Sequence, residues 1–149
     1  MGNFNADHQI MTVHDADHPL PYSTTGSDPA ILSNRVNYVF NLLGPSETVN
    51  TACSSSMYAL HHAVHALRAG DCEKAIVAGT NIILDPTTQI FTTKLGAISP
   101  TSRCNTFDAA ASGYSRSDGF GALYIMKLND AIEGRYPIRA VIRGTAINS

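Results

Sequence analysis

The 149-residue sequence contains no apolar run long enough to cross a membrane and no cluster of basic residues. A membrane-spanning helix needs about 20 consecutive apolar residues, so a membrane enzyme is not expected. Ten Lys and Arg stand against twelve Asp and Glu and are scattered along the chain, giving a net charge of −2. Because there is no basic patch to attract a polyanion, nucleic-acid binding is not expected either.

Two further absences concern cysteine and the amino terminus. The sequence has three cysteines, an odd number, with no C-x-x-C spacing, and its first residues lack the basic and then apolar build of a signal peptide. We therefore expect a reducing, cytoplasmic setting in which Cys72 and Cys104 are incidental free thiols. With 44% hydrophobic and 15% charged residues, the composition is that of an ordinary globular α/β protein.

Turn residues and periodicity divide the chain into elements. Residues 1–29 are rich in Asp, His, Ser, Thr and Pro, which predicts a loop that includes His8, His14 and His18 and has room for one short helix. Helical spacing predicts helices at 30–42, 54–69, 87–98 and 129–134, and apolar or β-branched runs predict strands at 46–52, 74–83, 121–128 and 138–147. The run at 74–83 is continuous enough for a strand buried on both faces. This alternation of strand and helix predicts an α/β fold.

Cys53 stands where the predicted strand 46–52 meets the predicted helix 54–69. The first turn of a helix has unpaired N–H groups and the positive end of the helix dipole, and both stabilise a thiolate. A cysteine that begins a helix in this way is typical of a nucleophile. The alternative, from the residue type alone, is a small buried hydrophobic side chain.

The run 44–60 carries a more specific pattern, formed by Gly44, Val49, Ala52-Cys53-Ser54-Ser55-Ser56 and Leu60. It resembles the active-site signature of β-ketoacyl synthases, the condensing enzymes of thiolase fold. The resemblance continues through the segments 74–81, 94–100, 103–108, 113–114, 118–121 and 138–145. Residues 30–38 and 56–61 look most like the ketosynthase domain of a type I iterative polyketide synthase of the fungal kind.

The resemblance implies a thiolase-like α/β fold of which this chain is only a part. The fold has two related halves: residues 30–134 would be the N-terminal half after its first strands, and 138–149 the start of the C-terminal half. The whole chain, 1–149, would then be one ketosynthase fragment in which Met1 is an internal residue. On this basis the strand at 46–52 lacks its inner neighbour, and the isolated polypeptide is expected to fold poorly.

The resemblance also implies a decarboxylative Claisen condensation. Cys53 would take an acyl group from an acyl carrier protein thioester, a malonyl unit on the carrier protein would lose CO₂, and the resulting enolate would attack the acyl carbonyl. Backbone N–H groups, including that of Cys53, would stabilise the oxyanion. The segment itself would hold no cofactor and no metal, because the partner carrier domain brings the phosphopantetheine.

The same resemblance assigns supporting positions to Asn50, Ala52, Ser54, Asp108 and Asp118. Asn50 stands where the family commonly has Asp, and Asp118 where it has Glu, and both keep a hydrogen-bonding side chain. Members of the family are homodimers that pair through the strand before the nucleophile, here 46–52. The two catalytic histidines of the family lie in motifs of its second half that do not occur in this sequence. The chain is therefore not expected to complete the condensation alone.

Three other functions stay open. A fatty-acid synthase ketosynthase would share the mechanism but not the product, and a cysteine hydrolase would pass its acyl group to water. A non-catalytic condensing-enzyme remnant or partner is the third, and the retention of Cys53 argues against it. The starter unit, the chain length and the degree of reduction cannot be deduced from this segment.

Two other groups of residues resemble a metal site and a phosphate-binding loop. His61, His62 and His65 include an i,i+4 pair, but no third ligand follows at a suitable spacing, so no metal site is expected. The glycines of the segment 113–121 match neither a dinucleotide-binding nor a P-loop motif, and a tight turn feeding a strand is the better interpretation.

Overall fold

The structure is a computed structural model that describes residues 1–13 and 17–148. His14, which the sequence places in a polar loop, lies outside the described residues. The elements, in chain order, are the helices and strands α1 (Asp7–Val13), α2 (Ser23–Ser27), α3 (Ala30–Phe40), α4 (Ser55–Ala69), β1 (Lys74–Asn81), α5 (Pro86–Lys94), β2 (Gly119–Met126) and α6 (Leu128–Glu133). Within the described part of 1–29 there are two short helices, one more than predicted.

Contacts divide the chain into two units. The first contains residues 1–4, 24–80 and 120–148, and the second contains residues 5–13, 17–23 and 81–119. The mixture of helices with a sheet of order β1-β2 confirms the predicted α/β class. Among the described residues, no helix combines the length and the apolar character that crossing a membrane requires.

The helices α3 and α4 confirm the predictions at 30–42 and 54–69. Helix α3 is two residues shorter than predicted, because Asn41 adopts a left-handed conformation (φ 51°) and its N–H bonds back to the carbonyls of Asn37 and Tyr38. Helix α4 ends at Gly70, whose φ of 88° suits glycine. Its buried stripe contains Ala59, Val64 and Leu67, together with Ser55 at its first turn.

The first residues of the chain occupy a position between two other segments. Gly2 forms parallel bridges both to Val49 and to Gly79 of β1. The Val49 N–H donates to the Met1 carbonyl at 2.7 Å, and the Gly2 N–H donates to the Ala78 carbonyl at 2.8 Å. Val49 therefore has an inner neighbour, and the expectation that it lacks one is wrong at this residue.

The predicted strand at 46–52 is also wrong as a regular element. In this described segment the structure has single bridges at Val49 and Thr51 and no continuous ladder. A strand extends only where its partner continues alongside it, and the partner of Val49 is a single residue, Gly2. The segment is consequently a bridge followed by a turn.

The predicted strand at 138–147 is wrong as well, since these described residues have no regular secondary structure. The segment instead lies along α4. The Tyr58 hydroxyl donates to the Asn148 carbonyl at 2.6 Å, and the Arg68 guanidinium donates to the Arg143 carbonyl at 3.3 Å. Side chains of a helix thus satisfy backbone groups that a neighbouring strand would otherwise pair.

The remaining predictions hold with shifted ends. The strands predicted at 74–83 and 121–128 appear as β1 and β2, and the helices predicted at 87–98 and 129–134 appear as α5 and α6. Burial of β1 is weaker than predicted, because Val77 (5% exposed) is its one buried residue and Ile76 is 39% exposed. The buried apolar residues of the described chain are few, namely Ala59, Val64, Leu67, Val77 and Ala131.

In the second unit, Asp7 is a buried carboxylate that ties α1 to the start of α5. Its Oδ2 accepts the N–H groups of Leu84 and Asp85, both at 3.1 Å. Burial acts to raise the pKa of Asp7, but these N–H donors, together with the Asn5 side chain and the charge of Arg116, outweigh it and hold the pKa below its ordinary value. Asp85 in turn caps α5, its Oδ1 accepting the Thr87 N–H at 2.8 Å.

Candidate active site

Cys53 lies in a turn between the Val49 bridge and α4, and its side chain is exposed. The prediction that Cys53 begins the helix is wrong by two residues. Ser54 is the N-cap (φ −89°, ψ 0°) and Ser55 the first helical residue, so the thiol stands just before the cap. The reason is a sharp turn at Ala52, which delays the start of the helix.

Ala52 has a φ of 53°, in the left-handed region that non-glycine residues rarely adopt. Holding alanine there costs on the order of 1–2 kcal/mol relative to a right-handed conformation. The surrounding hydrogen bonds must therefore impose this backbone direction. The turn at Ala52 reverses the chain immediately before the thiol, so it determines which way Cys53 faces.

Three side chains hold this turn, which we call the Cys53 elbow (residues 50–55). The Asn50 Oδ1 accepts the Ala52 N–H at 3.1 Å. The Ser54 hydroxyl donates to the Thr51 carbonyl at 2.7 Å. The Ser55 hydroxyl accepts the Thr51 N–H at 2.9 Å and donates to the Ala52 carbonyl at 2.5 Å.

Ser55 is a residue that the sequence analysis left out of the candidate site. It is 4% exposed, whereas Ser54 and Cys53 are both exposed. The available signal was its spacing, because a serine in the first turn of a helix is well placed to bond the backbone of the preceding loop. Which backbone groups it bonds depends on the left-handed turn at Ala52, and that turn has no sequence signal.

Glycines bring the first turn of α4 close to two neighbouring segments. A Cβ atom at Gly79 would lie 2.8 Å from the Ser56 Cβ, closer than real Cβ contacts. A Cβ atom at Gly2 would collide with the backbone of Ser55 and Ser56. The helix end that follows Cys53 is therefore seated directly on the backbone of Gly2 and on β1.

The first unit also contains a cavity of about 560 Å³, lined by residues of α3, α4 and the start of β1. Cys72 and His62 line it, and Cys53 does not. A molecule that reacts with Cys53 would accordingly approach it from the exposed face of the elbow and not through this cavity.

The other two predicted site residues, Asp108 and Asp118, belong to the second unit. The Asp118 Oδ1 accepts the Ile83 N–H at 2.7 Å, which links the loop before β2 to the chain just after β1. The Asp108 Oδ1 accepts the Ala110 N–H at 2.8 Å within its own turn. Of the predicted supporting residues, the structure thus gathers Asn50, Ala52 and Ser54 around Cys53.

The histidines of α4 make contacts with one another and with nearby polar groups. The rings of His61 and His65 are 4.3 Å apart, His61 Nδ1 is 3.0 Å from the Thr145 Oγ1, and His62 Nδ1 is 2.9 Å from the Glu47 Oε1. Burial, followed by the charges of His65, His62 and Arg68, lowers the pKa of His61 below its ordinary value. In the described part of the chain, no group of three or more His, Cys, Asp or Glu is arranged to hold a metal ion.

Most of the chain matches a known protein family. Residues 1–131 match the family described as beta-ketoacyl synthase, N-terminal domain. Over all 149 residues the chain is 57% identical to prosolanapyrone synthase of Alternaria solani and 56% identical to a highly reducing polyketide synthase of Pyrenophora dematioidea. The chain spans 6% of the length of each of these two proteins.

Solved structures give the same result for the fold. An oxazolomycin ketosynthase domain of Streptomyces albus is 33% identical with a TM-score of 0.77, over 89% of this chain and 23% of that domain. The ketosynthase from module 6 of the bacillaene synthase of Bacillus subtilis is 31% identical with a TM-score of 0.78, over 90% of this chain and 22% of that protein. Both similarities confirm the predicted thiolase-like fold, present here in part.

Proposed function

Because this chain belongs to the β-ketoacyl synthase family, we propose that it is the part of a polyketide synthase ketosynthase that carries the nucleophile, Cys53. The observation that supports this most directly is the exposed thiol on a hydrogen-bonded elbow ahead of α4. The relative at 56% identity is named as a highly reducing polyketide synthase, which favours polyketide over fatty-acid synthesis.

In the first proposed step, the Cys53 thiolate attacks the carbonyl of an acyl thioester carried on the phosphopantetheine of a carrier domain. A new bond forms between the Cys53 sulfur and the acyl carbon. The bond from that carbon to the carrier sulfur breaks, and the carrier thiol leaves after taking a proton. The backbone N–H of Cys53 is one donor available for the oxyanion that forms in this step.

In the second step, the carbon–carbon bond that joins the carboxylate of a malonyl thioester to its α-carbon breaks and CO₂ leaves. The electron pair of that bond forms an enolate, which attacks the acyl carbonyl and makes the new carbon–carbon bond. The bond from the Cys53 sulfur to the acyl carbon then breaks, which regenerates the thiolate and yields a β-ketoacyl product.

The chain's own contribution is to hold and aim the thiol, with Asn50, Ala52 and Ser54 as supporting residues of the elbow. We propose supporting roles for Asp108 and Asp118 through the loops that they fix in the second unit. The two histidines that assist decarboxylation and condensation would come from a second half of the fold, encoded beyond this segment. We propose a cytoplasmic setting for this enzyme, in keeping with its three free cysteines.

We also propose that the synthase is a homodimer that pairs through residues 46–52. The N–H and carbonyl of Val49 are both bonded to the first residues of the chain. The Glu47 carbonyl likewise accepts from the Met1 amino group. One edge of the segment is thus occupied by the first residues of the chain, and we propose that the second subunit pairs at the other edge.

Acyl loading tests the proposal in the complete synthase that carries this segment. With an acyl pantetheine thioester as the probe, peptide mass spectrometry should find the acyl group on the peptide that contains Cys53. Cys53→Ala should abolish loading and also CO₂ release coupled to chain extension. Cys72→Ser should load normally, because that thiol lies outside the elbow. Loading that survives Cys53→Ala, or hydrolysis without chain extension, would overturn the proposal.

A further inference from the structure

We propose that Ser55 is a positioning residue that sets the direction of the Cys53 thiol for acyl transfer, an inference that rests on the proposed function. Its hydroxyl bonds to two backbone groups on the chain just before the nucleophile, the N–H of Thr51 and the carbonyl of Ala52. A hydroxyl has one proton to donate and lone pairs to accept, and this arrangement uses both.

The two bonds act on the one strained residue of the elbow. One bond holds the peptide group that follows Ala52, and the other holds the peptide group that precedes Thr51. Between them lies Ala52, whose φ of 53° is unfavourable for alanine. The N–H of Ser55 itself also donates to the Ala52 carbonyl, at 3.1 Å. Loss of the hydroxyl would leave the Thr51 N–H without this partner, so the left-handed turn would lose two of the hydrogen bonds that constrain it.

Ser55 is itself held in place by burial and by close packing of the start of α4. It is 4% exposed, and its helix turn is seated on the backbone of Gly2, where no side chain fits. Neighbouring Ser56 lies against Gly79 in the same way. The start of α4 therefore has no room to move toward these two segments, and Ser55 supports the elbow from this packed position.

The Ser54 hydroxyl makes a bond of similar length, to the Thr51 carbonyl at 2.7 Å, but it is exposed. An exposed bond is easily replaced by one to water, whereas the two bonds of the Ser55 hydroxyl are partly buried, and water replaces them less readily. We therefore expect the positioning effect to belong to Ser55 and to be weak at Ser54.

The test measures the rate of acyl transfer to Cys53 in the complete synthase, as a function of acyl pantetheine concentration. Ser55→Ala should lower the maximal loading rate at least tenfold with little change in the half-saturating concentration, since misplacement by about 1 Å can cost on the order of 100-fold. Ser99→Ala removes a similarly buried, hydrogen-bonded hydroxyl in the second unit, and the loading rate should stay close to that of the wild type because Ser99 lies outside the elbow.

Two variants of matched shape distinguish the effect of losing the Ser55 hydroxyl from the effect of changing the packing around it. Ser55→Thr keeps the hydroxyl and Ser55→Val lacks it, while both add the same branched volume. Threonine should load Cys53 at least tenfold faster than valine if the two bonds matter. Equal rates for threonine and valine, or wild-type loading in Ser55→Ala, would overturn the inference, and the pair decides the matter even if the alanine variant folds poorly.

Failure of the proposed function gives a different result. In that case the wild type does not load Cys53 at all, and alkylation by iodoacetamide becomes the readout. The alkylation rate of Cys53 relative to Cys72, followed from pH 6 to 9, should change in Ser55→Val and not in Ser55→Thr. Unchanged alkylation in both variants would overturn the positioning role independently of acyl chemistry.

Discussion

At the scale of single residues, the Cys53 elbow depends on small side chains around it as well as on hydrogen bonds. Ala52 adopts a conformation in which a larger β-branched side chain would be strained further. Gly79 and Gly2 lack the Cβ atom that would separate the start of α4 from its neighbours. Small side chains at these positions let hydrogen bonds from Asn50 and Ser55 reach the backbone around the thiol.

Gly79→Ala tests this close approach. The added Cβ would lie 2.8 Å from the Ser56 Cβ, so either β1 or α4 must shift. We expect a loss of about 1–3 kcal/mol in the free energy of unfolding of the ketosynthase region, as for other overpacked sites, together with slower acyl loading. Chemical denaturation of the complete synthase, followed by cysteine labelling of the region, measures it.

Gly121→Ala is the matched control for this prediction. Gly121 lies on the neighbouring strand β2, and an added Cβ atom there would meet nothing within 4 Å. We expect it to be close to neutral. If both alanine variants destabilise the region equally, the effect comes from glycine in a strand and not from the seating of α4.

At the scale of elements, α4 bonds two separate segments of the chain. Its first turn holds the elbow, and further along its length Tyr58, His61 and Arg68 bond the carboxyl-terminal segment 138–148. Burial is the largest cause that disfavours a positive charge on the His61 ring, and the other histidines of the helix add to it. Together they outweigh the opposite effect of the bond to Thr145 on the pKa of His61. The attachment of segment 138–148 to α4 is therefore sensitive to the protonation of His61.

The pH dependence of this attachment follows from the lowered pKa of His61. A histidine whose pKa is depressed in the folded state stabilises that state at pH values above its unfolded pKa, near 6.5. The contribution is lost as the pH falls through the folded pKa. We expect hydrogen exchange of the peptide 140–148, corrected for intrinsic rates, to show weaker protection at pH 5 than at pH 7.5.

His61→Gln keeps a polar side chain at this position and removes its titration. In this variant the difference in protection between pH 7.5 and pH 5 should become much smaller. An unchanged pH dependence in His61→Gln would assign the effect to another group, and His62, paired with Glu47, would be the next to substitute.

At the scale of the whole molecule, many large apolar side chains of the described residues are exposed. Leu43 is 94% exposed and Phe120 is 92% exposed. The buried apolar set among the described residues is correspondingly small.

The predicted consequence concerns the isolated 149-residue polypeptide. With this little buried apolar surface, hydrophobic stabilisation does not outweigh the conformational entropy of the chain. We expect no cooperative unfolding transition in scanning calorimetry. A complete ketosynthase domain that carries the same residues should show one. A sharp transition for the isolated polypeptide, with an enthalpy of the usual size for its length, would contradict this prediction.

The sequence by itself determined the family and most of the local elements. Apolar periodicity and the stop at Gly70 are properties of neighbouring residues, so α3, α4 and β1 could be predicted, and the pattern around Cys53 pointed to a β-ketoacyl synthase. Only the tertiary structure decided the pairing of Gly2 with Val49 and Gly79, and the irregular course of 138–147. Strand pairing and close backbone approach join residues far apart in the chain, and no local pattern encodes them. The partners of Ser55 are near in sequence, but they depend on the left-handed turn at Ala52, which has no sequence signal.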